Sequence, residues 1–297
     1  MGICVPETRL FHSLWWSMTG RSRNDYNTAT MWHISCVGIT TLARNAPPPL
    51  THSMNFINMT RGGRTSCSTG IECRLMPISD TSNTETLLKL LLLTGGSHPY
   101  EETTPILSSF LEAAGHSVTV SESAAELATD AVKSFDSIVL NTRRRDDDNN
   151  NFTVPQRDGL KSFVESGGGL VSLHISPDSA PDWEEMKKLT GGGWVSGTSW
   201  HPPFGTMTVS VKNPDHALAA GITEFETEDE CYCGLDIQPG IDVFLYGVVE
   251  DEEKPLGWST SYGSGKVANI ALGHAGVSQS HPSFQRLVLN AVDYVNA

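Results

Sequence analysis

From Leu87 onward, short apolar runs alternate with segments in which apolar residues recur every three or four positions. Buried parallel strands give the first pattern and amphipathic helices the second. Residues 87–94 read as a strand, and residues 101–114 as a helix with Pro99 just ahead of it and two acids in its first turn. Residues 116–120 form a second predicted strand, 124–134 a helix and 137–141 a third strand. A helix over 156–166 stops at three glycines, the residue type that closes a last turn, and 169–174 follows as the fourth strand. After a helix at 183–189 the pattern turns to strands at 206–211, 243–249, 256–259 and 266–272, with 282–295 as a closing helix. This order predicts an α/β fold. It is flavodoxin-like and doubly wound, with a mostly parallel sheet and an added β section.

Residues 1–85 break the rhythm. They hold seven Arg, no Lys and five acids, with three prolines at Pro47, Pro48 and Pro49 and no sustained periodicity. The expectation is a disordered extension or a misassigned gene start, with the protein proper beginning near Met76 and the α/β domain occupying 86–297. That domain carries 13 basic against 29 acidic residues, and the whole chain has a net charge of −14. Phosphate binding needs clustered Lys and Arg, so nucleic acid is not an expected partner. No apolar run approaches the roughly 18 residues of a bilayer span, and the best candidate is interrupted by Lys89, so no membrane partner is expected either. Six cysteines without zinc-ribbon spacing suit a reducing, cytoplasmic setting. A neutral small molecule fits this composition, and a homo-oligomer is left open.

In an open parallel sheet, ligands bind beyond the carboxyl ends of the strands. His98 follows the first predicted strand, Asn141 and Arg143 the third, His174 the fourth and His274 the last. Imidazoles so placed serve as acid/base groups or metal ligands, although a buried histidine also has a plain reading as a satisfied core residue. The segment 191–204 combines glycines with Trp194, Trp200 and His201, and reads as a loop over the site whose aromatics suit the C–H face of a sugar. Asp229 and Glu230 supply carboxylates, within a run rich enough in acids to be a solvated edge. Arg143, Arg144 and Arg145 abut three aspartates and read as an exposed, self-neutralising loop, from which Arg143 alone reaches a substrate oxygen. Gly95 and Gly96 lack the dinucleotide-binding spacing, and no acid stands at the ribose position, so NAD is not expected.

Several motifs together resemble one family. They are Leu92 to Glu101 (LLTGGSHPYE), Gly168 to His174 (GGLVSLH), Gly191 to Trp194 (GGGW), Asp229-Glu230, and Tyr262 to Val267 (YGSGKV) leading to Leu272-Gly273-His274. Over about residues 87–297 they look like the ThuA-like, or trehalose-utilisation, family. The resemblance implies a fold related to class I glutamine amidotransferases and a role in the metabolism of trehalose and related disaccharides through 3-keto sugars. It also places a histidine after the Gly-Gly segment, here His201. Those amidotransferases carry a nucleophilic cysteine on the turn after a central strand; the turn here is Leu173-His174-Ile175-Ser176, with no cysteine near it. Cys231 reads as packing, and Ser176 lacks a Gly-x-Ser-x-Gly elbow, so a Cys-dependent glutaminase is not expected.

The resulting expectation is a sugar-metabolism enzyme acting on a trehalose-like disaccharide or its 3-keto derivative. His98, His174, Glu230 and His274 are its catalytic candidates, and Asn141, Arg143, Trp194 and Trp200 its substrate contacts. A divalent metal ion on His201 and Glu230 is the candidate cofactor. The alternative is a non-catalytic carbohydrate-binding or sensing protein on the same fold.

Overall fold

The computed structural model describes residues 87–146 and 150–297, and the expectation for residues 1–85 lies outside them. The first half alternates strand and helix: β1 (Lys89–Gly96), α1 (Tyr100–Ala113), β2 (Ser117–Ser121), β3 (Ser137–Arg143), α2 (Val154–Glu165), β4 (Gly169–Leu173) and α3 (Glu185–Thr190). The unbroken apolar run of β1 has a direct cause. Leu90 and Leu92 enter one core with Leu107 and Leu111 of α1, whereas Leu91 and Leu93 enter a second core with Leu160 and Val164 of α2. Successive side chains of a strand point to opposite faces, so a strand covered on both sides is apolar throughout.

The second half is mainly β: β5 (Gly192–Gly193), β6 (Gly205–Val211), β7 (Phe225–Asp229), β8 (Asp236–Ile237), β9 (Asp242–Val249), β10 (Glu252–Tyr262) and β11 (Gly265–Ile270), then α4 (Gly276–Gln279) and α5 (Pro282–Val295). One sheet of nine strands runs β2-β1-β3-β4-β11-β10-β9-β6-β7. The pairs from β2 to β11 are parallel, and every pair beyond β11 is antiparallel. The added β section is thus a continuation of the central sheet. α5 packs its Leu287, Val288 and Val292 into the same core as β1's Leu90 and Leu92. Among the described residues no helix is long and apolar enough to cross a membrane.

Two local expectations change. The predicted helix at 124–134 is a pair of 3-10 turns, Ala125–Ala128 and Asp130–Ser134, because Thr129 is extended (φ −138°) and its hydroxyl caps the second turn by accepting from Ala131 N–H. Threonine competes in this way with continuation of a helix. The acid-rich run around Glu228, which the sequence leaves open as a solvated edge, is the edge strand β7, with Glu226 and Glu228 exposed and Thr227 and Asp229 turned inward and buried.

Candidate active site

Three histidines of the site, His98, His174 and His274, each stand past a strand and are aimed by a backbone device. His98 follows Gly96, whose φ of +109° lets β1 turn sharply; a Cβ there would lie 1.8 Å from Arg143 O, so only glycine fits. His174 follows β4 with φ +49°, a strained conformation for a residue with a side chain, and its N–H donates to Ile270 O at 2.8 Å. Such strain concentrates where function fixes a side chain's direction. His274 follows β11 after Gly273, which has φ +105°. The buried Asp229 carboxylate accepts from Gly273 N–H at 2.7 Å, His274 N–H at 3.2 Å and Glu230 N–H at 2.9 Å. It ties the end of β7 to the end of β11.

The three imidazoles meet. Their ring centroids lie 5.0 to 5.2 Å apart, and one ligand nitrogen from each lies within 4.8 Å of the others. His274 Nδ1 is 3.1 Å from both His174 Nε2 and Glu230 Oε2, and Glu230 Oε2 is 3.7 Å from His174 Nε2. His201 stands on the other side of Glu230, its Nε2 3.7 Å from Oε1 and its Nδ1 2.8 Å from Pro202 O. The sequence pointed to none of what Tyr232 does here. Its hydroxyl lies 2.6 Å from His174 Nε2, and its ring packs against His174, Trp194 and His201. Phe204 adds an apolar face beside His274, with ring centroids 5.3 Å apart.

Electrostatics separates the four groups. Burial, with the charges of His274 and Arg143, pushes His98 down to about 4. Complete burial, with the neighbouring histidines, holds His174 well below the ordinary imidazole range. Both rings are therefore neutral near pH 7. The hydrogen bond to Glu230 raises His274. Burial pushes Glu230 upward, but its hydrogen bond to His274 and the charges of His274, His201 and His98 overcome this, and the carboxyl ends below its usual value. The site therefore offers an ionised carboxylate beside neutral imidazole nitrogens, a set able to move a proton or to hold a divalent ion.

The remaining candidates divide. Trp194 is half-buried, edge-on to Tyr232 at 4.9 Å, and forms part of the aromatic wall. Trp200 is 42% exposed and is bound through its backbone to Cys233. Arg143 reaches the rim, where its Nε donates to Asp178 at 2.9 Å and its Nη1 to Ser97 Oγ at 2.7 Å. The exposed arginine loop is not what forms: Arg144 is buried and donates to Thr94 O and Glu122 O, and Arg145 pairs with Asp178 at 2.8 Å. Asp178, which the sequence did not single out, draws Arg143 and Arg145 inward, while Asp147 and Asp148 lie outside the described residues. Asn141 lies near the end of β3. Its buried amide donates to Thr103 Oγ1 and accepts from Gln279, both at 3.2 Å, so it braces β3 against α1 and α4 beneath the crevice. Ser176 is likewise structural, with its Oγ donating to Leu140 O and accepting from Thr142 N–H. Cys231 is packed in the core, where burial pushes its thiol up to about 12.

Among solved structures, the chain is similar to a ThuA-like protein from Parabacteroides merdae, with TM-score 0.62, 17% identity and coverage of 71% of this chain and 90% of that one. A ThuA-like protein from Bacteroides uniformis matches with TM-score 0.57, 17% identity and coverage of 70% and 91%. A cytoplasmic protein from Salmonella typhimurium matches with TM-score 0.54, 16% identity and coverage of 70% and 99%. At such identities these likenesses establish the fold. No curated protein matches the sequence. The family model described as trehalose utilisation matches residues 89–295, almost the whole of the described domain, and the chain therefore belongs to the ThuA family.

Proposed function

We propose that the protein is a sugar-metabolism enzyme that acts on a trehalose-like disaccharide through its 3-keto derivative, with Glu230 as the base. The observation that carries this reading is the convergence of Glu230, which follows β7, with His98, His174 and His274, which follow β1, β4 and β11 of the same sheet. The family description supports the substrate class. A ketone at position 3 acidifies the C–H at position 2, which the ionised Glu230 carboxylate, hydrogen-bonded to His274, can remove. The proton passes to Glu230, and the C–H electron pair becomes the enolate, its oxygen directed at the histidines. Collapse of the enolate forms a C1–C2 double bond and breaks the bond from C1 to the glycosidic oxygen. Glu230 passes the proton to His201, whose Nε2 stands 3.7 Å from Glu230 Oε1, and His201 delivers it to the departing oxygen, which leaves Glu230 ionised and His201 unchanged. No oxidant is consumed, because the carbonyl arrives with the substrate, and the reading needs no NAD. A cytoplasmic setting belongs to the same reading, in line with the name of the Salmonella neighbour.

The test is to incubate the full chain with native and 3-keto disaccharides and follow products by NMR. Consumption of a keto disaccharide is expected, with Glu230→Gln slower by about 10²- to 10⁴-fold. Binding of these sugars without turnover of any of them contradicts the enzyme and supports the non-catalytic carbohydrate-binding alternative.

A further inference from the structure

We infer that His98, His174 and His274 together form a site for one divalent transition-metal ion. This deepens the reading of the same crevice by assigning the group that polarises the carbonyl. Two ligands at the usual metal–nitrogen length of about 2.1 Å are at most about 4.2 Å apart, and about 3.0 to 3.4 Å apart in octahedral or tetrahedral arrangement. His174 Nε2 and His274 Nδ1, at 3.1 Å, already stand at that spacing. One ring nitrogen of each histidine, His98 included, lies within 4.8 Å of the others, so a shift of roughly 1.5 Å or less, within the reach of a χ rotation, completes the set.

Hydrogen-bond accounting points the same way. His174 Nε2 faces both the Tyr232 hydroxyl at 2.6 Å and His274 Nδ1 at 3.1 Å, with Glu230 Oε2 beyond hydrogen-bond reach at 3.7 Å. A ring nitrogen has either one hydrogen or one lone pair, and cannot fully satisfy both neighbours. A cation held between the rings turns this crowding into coordination, with Tyr232 and Glu230 left to orient a bound oxygen. Second-sphere groups of this kind are a regular part of metal sites. The surrounding charge permits it. Glu230, Asp229 and Glu102 lie around His274, whereas the nearby cation, Arg143, is paired with Asp178 at 2.9 Å. A set of three imidazoles suits zinc or its neighbours in the first transition row, with a position open towards the crevice. His201 stands outside this group, so the metal moves from the His201–Glu230 pair expected from the sequence to the three strand-end histidines.

The experiment is read without sugar, so its failure leaves the keto-sugar reading standing, and failure of turnover leaves the metal site standing. Full-length protein stripped with chelator is titrated with Zn²⁺ in a calorimeter. One ion per chain is expected. His98→Gln, His174→Gln and His274→Gln should each weaken binding by more than the roughly 10- to 100-fold that loss of an outer partner costs. Glu230→Gln and His116→Gln, the latter remote from the site, should keep the same stoichiometry. Because a variant of a buried histidine can fail to fold, the wild type also carries the test: electron spin-echo spectra of its Cu²⁺ complex count coordinated imidazoles. Three are expected. Any smaller number, absence of a stoichiometric Zn²⁺ site, or equal loss in His116→Gln overturns the inference.

Discussion

Asp229 shows how a residue outside the chemistry sets its geometry. Its carboxylate alone accepts from the backbone N–H groups of Gly273, His274 and Glu230. Asp229→Ala leaves those donors unpaired in a buried place, where each costs about 1–3 kcal/mol. Urea unfolding should therefore show a loss of about 3 kcal/mol or more for Asp229→Ala and a smaller loss for Asp229→Asn, which keeps one accepting oxygen; equal loss in both contradicts the assigned role. The three histidines were legible in the sequence because each follows a strongly apolar strand, and the ends of such strands share one edge. Tyr232 was not legible. It sits in the irregular segment after β7, and its approach to His174 depends on how that segment closes over the sheet. The arginines at 143–145 were misread for a related reason. Asp178, which draws Arg143 and Arg145 inward, is more than thirty positions away, beyond any local charge pattern.

At the level of elements, α2 lies so close to the 3-10 turn Ala125–Ala128 that a Cβ on Gly159 would stand 1.6 Å from Leu127 O. Backbone cannot yield as a flexible side chain does, so Gly159→Ala should destabilise the domain by about 3 kcal/mol, seen as a melting temperature lower by roughly 6–12 °C. Gly205→Ala, whose Cβ would meet only Pro203 O at 3.9 Å, should leave it nearly unchanged. An unchanged melting temperature in Gly159→Ala would show that the helix and turn have room between them. Apolar periodicity placed β1, β3, β4 and the terminal helix correctly, since all bury large side chains. It failed on β7, whose inward residues are Thr227 and Asp229, so that no hydrophobic alternation marks the strand. It also overran Thr129, where a side-chain cap outweighs the helical propensity of the alanines around it.

At the level of the molecule, the doubly wound order of the first half followed from alternating strand and helix patterns, whereas the place of the later strands did not. Nothing in the spacing of β10 and β11 states that β11 lies parallel to β4, yet that pairing brings His274 beside His174. A hollow of about 1000 Å³ is bordered by Asp136, Gly168 and Lys266, at the starting ends of β3, β4 and β11. The chemistry-bearing side chains stand at the other end, so size alone does not mark the site. The account's central claim is that Glu230 removes a proton beside a sugar carbonyl at that end. Its most direct test uses 3-keto trehalose carrying deuterium at C2, with release of the label to water followed by mass spectrometry. The wild type should release the label far faster than buffer does, and Glu230→Gln should slow the release by about 10²- to 10⁴-fold. A bound sugar that keeps its deuterium, or a Glu230→Gln variant that releases it as fast as the wild type, would contradict the claim.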